Sequence, residues 1–205
     1  GYYGSLATAY AGLKKTAEAV DAACGAIVSW GPTHGNRAQA IESLKAVVRQ
    51  APDLDAYVVQ LDKQSAETGL HNPVVRKAIG QAYMEKGQHA KAIPQLNLAI
   101  EIQPNDAETH QALAACYDQQ QDKEGAIRQL LRWRELARRE IKLYDDLGKR
   151  CQALNKPEEA ERAFTSIVEV LPSESESHAL LAEIRQQQNR WPEAIVQWEQ
   201  VARIR

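Results

Sequence analysis

Charge imbalance, cysteine and catalytic signatures are what this 205-residue sequence has least of. Its 25 Lys and Arg nearly balance its 27 Asp and Glu, for a formal charge of −2. The chain therefore lacks the field with which a nucleic-acid binder gathers phosphates, which argues against a purely electrostatic partner. Its three cysteines, Cys24, Cys116 and Cys151, are far apart. That spacing excludes a disulfide framework or a paired-cysteine metal site, and they read as buried thiols. No run reaches the length of a membrane span. Neither a GxxxxGK phosphate loop, nor HExxH, nor GxSxG occurs, so no catalytic, cofactor or metal residue can be named. The chain opens on GYYG, without an initiator Met or a signal sequence, and reads as an excised or processed segment whose compartment is hidden.

What is there is helical periodicity. Residues 73–105 form two amphipathic runs joined at Lys86-Gly87 and closed by Pro104. Ile79, Gly80 and Tyr83 share one face of the first run, and Ala92, Leu96, Ala99 and Ile100 one face of the second, because three- and four-residue steps return to the same side of a helix. Gly80, Ala92 and Ala99 let the two helices approach closely, while Tyr83 and Leu96 fill the space beside them. This is a helical hairpin.

The spaced Leu-Gly-Tyr, Ala, Phe and Pro signature resembles the tetratricopeptide repeat. Sliding the template by that family's period of 34 residues brings Leu113, Ala114, Tyr117, Ala126 and Leu130 into register. The next step gives Leu147, Gly148, Cys151, Ala160, Phe164 and Pro172, and the last gives Leu181, Ala182, Arg185, Ala194 and Trp198. The resemblance implies an all-α solenoid of stacked antiparallel hairpins, a right-handed superhelix of about twelve helices. One elongated array is expected, with repeats at 1–33, 73–106, 107–140, 141–174 and 175–205 and a degenerate hairpin at 36–70.

Tyr3, Leu6, Ala7, Tyr10, Ala19 and Ala26 fit the template in a shifted register, on helices at about 2–13 and 16–30. Gly31 to Asn36 is a turn-rich break. Ala40, Ile41, Leu44, Val47 and Val48 mark a helix over 37–51 stopped by Pro52. Another follows over 53–68, capped by Asp53 or Asp55 and closed by Gly69. The 37–51 helix pairs either with 53–68 or with 21–30; the first is favoured because it leaves no helix unpaired. Arg138 stands where the family places its closing Pro, so the helix starting at Lys123 is expected to run on to Arg139. Trp133, in place of an Ala, should distort that junction.

Isolated residues read mostly as structure. His110 and His178 occupy one repeat position and are expected to pack, two repeats apart and too distant to share an ion. His34, His71 and His89 fall at turns or helix starts. Arg128, Arg132, Arg134, Arg138, Arg139 and Lys142 interleave with Glu135, Glu140 and Asp145 and read as a solvated face, with Glu135 and Arg139 as an ion pair. Trp191 and Trp198 are expected to pack. The last helix, 191–205, carries Ile195, Val196, Trp198, Val201, Ala202 and Ile204, too many for one stripe. Some must face outward, to be covered by more of the parent chain or by a neighbouring molecule, which allows self-association there.

The resemblance further implies protein binding in a concave groove lined by the first helix of each pair. Carried over, that face is Lys77, Gln81, Met84 and Glu85; then Glu108, Gln111, Ala115, Asp118 and Gln119; then Lys142, Asp145, Lys149 and Gln152; then Glu176, Ala179, Glu183, Gln186 and Gln187. Its carboxylates outnumber its lysines, which favours a partner with basic or amide-rich segments. One subfamily's carboxylate clamp grips the C-terminal tail of large chaperones. Lys77 and Lys142 match it, but Gln81 and Ala112 do not, and Asp146 replaces a basic residue and would repel a carboxylate. The expected function is that of a non-enzymatic scaffold or adaptor; the alternative is a recruiting region of a larger protein whose catalytic domain lies elsewhere.

Overall fold

The computed structural model describes residues 2–30, 36–69 and 72–205, and these form only helices and turns. Two compact units result, divided after Asn105. The first holds α1 (Tyr2–Gly12), α2 (Thr16–Trp30), α3 (Asn36–Gln50), α4 (Leu54–Thr68), α5 (Pro73–Glu85) and α6 (His89–Ile102). The second holds α7 (Ala107–Gln119), α8 (Lys123–Leu136), α9 (Ile141–Ala153), α10 (Pro157–Val170), α11 (Ser175–Gln187) and α12 (Trp191–Ile204). The fold class is all-α, as the periodicity implies. The 31–35 break, His34 and His71 lie outside the described residues.

Small residues set the hairpins. A Cβ on Gly80 would stand 2.6 Å from Leu96 Cγ, and one on Gly148 would overlap the Phe164 ring, so α5 with α6 and α9 with α10 meet at distances only glycine permits. On the second helix of each pair, Ala19, Ala92, Ala126, Ala160 and Ala194 are all buried. Every first helix of these five pairs also ends in the same way. Lys14, Gly87, Gln121, Asn155 and Asn189 adopt φ of 55–70°, and the next residue's N–H reaches back to a carbonyl of the last turn, as in Gln88 to Tyr83 at 2.8 Å and Arg190 to Arg185 at 2.8 Å. This Schellman closure satisfies carbonyls the helix end leaves open and turns the chain back.

A polar pair recurs between helices, buried in the first case and part-buried in the others. Arg76 donates to Gln95 at 2.7 Å, while His110 meets Gln129 and His178 meets Gln197, each at 2.8 Å. All three pairs span the same register positions. At the fourth, Tyr144 faces the small Ala163 position and donates to the Arg138 carbonyl instead, at 3.0 Å. The histidines are thus held as packing groups.

Within the first unit the expected pairing of α3 with α4 is not formed. α3 packs on α2, with further contacts to α1 and α5, while the backbone of α4 touches mainly α2. Long side chains bridge the remaining space: Arg76, fully buried, reaches Asp62 at 2.6 Å and Ser65 at 3.2 Å, and Tyr83 donates to Asp55 at 2.6 Å. Neither proposed N-cap acts as one. Asp53 accepts from Thr16 at 2.6 Å, and Asp55 accepts from Tyr83 and Lys91. Gly69 does close α4, at φ 68°.

In the second unit, Leu147, Phe164, Ile167 and Leu181 build a continuous core across α9, α10 and α11. The predicted extension to Arg139 is absent: α8 ends at Leu136, and Ala137 to Glu140 make a turn stabilised by a Glu140 N–H bond to Ala137 at 3.0 Å. Glu135 accordingly pairs with Arg132, at 2.9 Å, rather than with Arg139. The expected packing of Trp191 and Trp198 also fails. They are 55% and 37% exposed on α12, whereas Val201 is buried.

Candidate functional site

In the second unit a cleft of about 550 Å³ opens between α7, α8 and α9. Its apolar floor is Ala114, Leu130 and Leu143, with Ala115 and Trp133 on the walls. Successive alanines on α7 leave the space, and Trp133, in the place where Ala99 sits in the preceding hairpin, supplies a broad aromatic surface beside it. The rim is polar: Gln111 from α7, Glu140 from the α8–α9 turn, and Lys142, Asp146 and Arg150 from α9. Arg150 ties the rim together, bonded to Asp118 across the helices and lying 3.2 Å from Asp146 along its own. An arginine forked between two carboxylates is fixed in place, so the rim is rigid on one side.

Of the groove residues expected from the sequence, Gln111 and Lys142 line this cleft, as does Ala115. Asp118 stands behind it as the anchor of Arg150. Asp145, half-buried, pairs with Lys149 at 2.7 Å. Glu108, Gln119, Gln152, Glu176, Glu183 and Gln187 are exposed, and Gln186 is half-exposed. In the first unit, Lys77, Gln81 and Met84 are half-buried on α5, and Glu85 is engaged by Arg49 of α3 at 2.5 Å. Sequence reasoning did not find Trp133, Glu140 or Arg150 as lining residues. The departure of Trp133 from the family's usual Ala was the available signal.

Burial pushes the Cys24 and Cys116 thiols up to about 11 and raises Cys151 as well, so none is poised as a thiolate. Among the described residues no cluster of three His, Cys, Asp or Glu could hold a metal ion, and no helix is long and apolar enough to cross a membrane. Glu161 of α10 receives Arg185 at 2.6 Å and Arg190 at 2.8 Å. Burial alone would raise its pKa, but these two guanidiniums outweigh it and hold the carboxyl below its ordinary 4.5.

Comparison with known proteins gives two family matches, one described as "TPR repeat" over residues 80–121 and one as "Tetratricopeptide repeat" over residues 146–205. No curated protein matches significantly. Among solved structures, one of MamA aligns with a TM-score of 0.55 at 16% identity, covering 85% of this chain and 96% of that one. Another of the MamA protein gives 0.55 at 15%, covering 90% and 91%, and a third, of MamA AMB-1, gives 0.51 at 19%, covering 98% and 89%. At such identities the likeness speaks for the fold.

Proposed function

Because the chain belongs to the tetratricopeptide-repeat family, with protein interaction as that family's general role, we propose that it is a non-enzymatic scaffold that takes an extended segment of a partner protein on its first-helix faces. The cleft between α7, α8 and α9 carries this reading. It offers an apolar floor for one anchoring side chain, with polar groups above it able to bond a peptide backbone. Glu140 on the rim and the exposed Glu176 and Glu183 on α11 favour a basic or amide-rich segment, with Gln111 and Gln187 suited to backbone amides. Asp146, held in the rim beside Arg150, would repel a terminal carboxylate. We read the hairpins over 73–205 as repeats of one array on the strength of their unbroken register.

Affinity capture with the purified chain tests this, run beside Ala115→Arg, which fills the cleft from an exposed helix position. A protein retained by the wild type and lost by the variant is expected. Equal retention by both would remove the cleft from the account.

A further inference from the structure

α12 bears an apolar face whose fit can be deduced from the repeat before it. On α10, Glu161 and Phe164 form the seat of α11: Glu161 accepts two bonds from Arg185, and Phe164 is 1% exposed against Leu181. One register step later the same places hold Ile195 and Trp198, exposed by 57% and 37%. The seat is therefore of the first-helix type, but its carboxylate has become isoleucine. A helix offering an arginine there would bury an unpaired charge, so the seat selects an uncharged one.

This chain contains such a helix. α1 is a first helix by its register and its Schellman end, and it carries no charged side chain from Tyr2 to Gly12. α3, α5, α7, α9 and α11 all carry several. Its outer face exposes Ser5, Ala9 and Gly12, small residues one or two turns apart, flanked by Tyr2 at 77% and Leu13 at 68% exposure. In the same register the places of Leu181 and Arg185, which meet the seat on α10, are held on α1 by Leu6 and Tyr10, both uncharged and half-buried, so nothing charged would be set against Ile195 or Trp198.

We propose that a second copy of this chain docks its α1 on α12, in the manner of α11 on α10. The contact joins two different surfaces, so copies add head to tail. A single helix face falls short of the roughly 800 Å² per partner of a standard interface, so the association should be reversible.

Light scattering across a protein concentration series tests this with the wild type, Ile195→Glu, Ala9→Glu and an equal mixture of the two variants. Wild-type mass should rise with concentration beyond the dimer, and each variant alone should stay monomeric. The mixture should return to a dimer and stop there, because the intact α1 of one variant meets the intact α12 of the other; recovery of the dimer also shows both variants folded. A wild type monomeric at every concentration would overturn the proposal. So would assembly that Ile195→Glu abolishes and Ala9→Glu leaves untouched, which would mean α12 pairing with itself.

Discussion

The two units solve the same packing problem differently. In the second, α7 to α12 form three hairpins whose helices meet through Ala114, Gly148 and Ala182, and buried polar groups such as His110 and Arg185 are fitted in around that close contact. In the first, α5 and α6 follow that rule, but α4 keeps its backbone away from α3, and it is Arg76 and Tyr83 of α5 that reach α4, at Asp62, Ser65 and Asp55. The difference teaches what the repeat specifies. Small residues at fixed spacing, closed by a left-handed residue, dictate a close hairpin; where they are missing, consecutive helices need not pair, and polar side chains reaching over from another helix hold the odd one.

The largest effect should come from violating the close approach. Gly148→Leu forces a side chain into Phe164, and Gly80→Leu into Leu96, so each should cost about 3 kcal/mol by overpacking. An unchanged melting temperature in both would break the distinction between the two kinds of packing. Next, Arg76→Ala should cost about 3 kcal/mol in denaturant titration, since Gln95 and Ser65 are left buried without their donor. His178→Ala, at the same register position but half-exposed, should cost only about 1 kcal/mol. Equal losses would show that the first unit does not depend more on its buried polar group.

A pH dependence distinguishes the clasp within the second unit. The folded pKa of Glu161 lies below its ordinary 4.5, so its contribution is fully present above that value and is lost as pH falls through the depressed folded one. Glu161→Gln should flatten the decline in stability below about pH 4.5 that the wild type shows; parallel curves would remove the Arg185–Glu161–Arg190 clasp from the stability account. The smallest effect should be a gain. Gln121 holds φ of 61° where the equivalent residue in the first unit is Gly87, so Gln121→Gly should stabilise by about 0.5–1 kcal/mol, read as a higher melting temperature.

The regular part of this fold was legible because it is written in single residues at fixed steps. Ile79, Leu113, Leu147 and Leu181 name the inner face outright, and all four are buried. The position of α4 was not legible, since its amphipathic pattern says which face is apolar but not which neighbour it meets. Arg76 would be read as solvated, and only its three partners, from two helices besides its own, make it a core residue. Exposure of Trp198 was hidden for a related reason: its register position is a core one on α6, α8 and α10, yet burial there requires a helix laid over it. The cleft was half legible. Gln111 and Lys142 follow from the first-helix face, but the depth between them depends on side-chain volumes from three helices, and the Asp118–Arg150 bond joins residues 32 apart.

The central claim is that the cleft of the second unit binds a partner segment, and calorimetric titration of a captured partner tests it most directly. Wild type, Ala115→Arg and Ile195→Glu would be compared, each held at a concentration where it is monomeric. Binding should weaken at least about tenfold, or about 1.4 kcal/mol, for Ala115→Arg and stay unchanged for Ile195→Glu, whose surface serves self-association alone. Wild-type affinity in Ala115→Arg would contradict the claim.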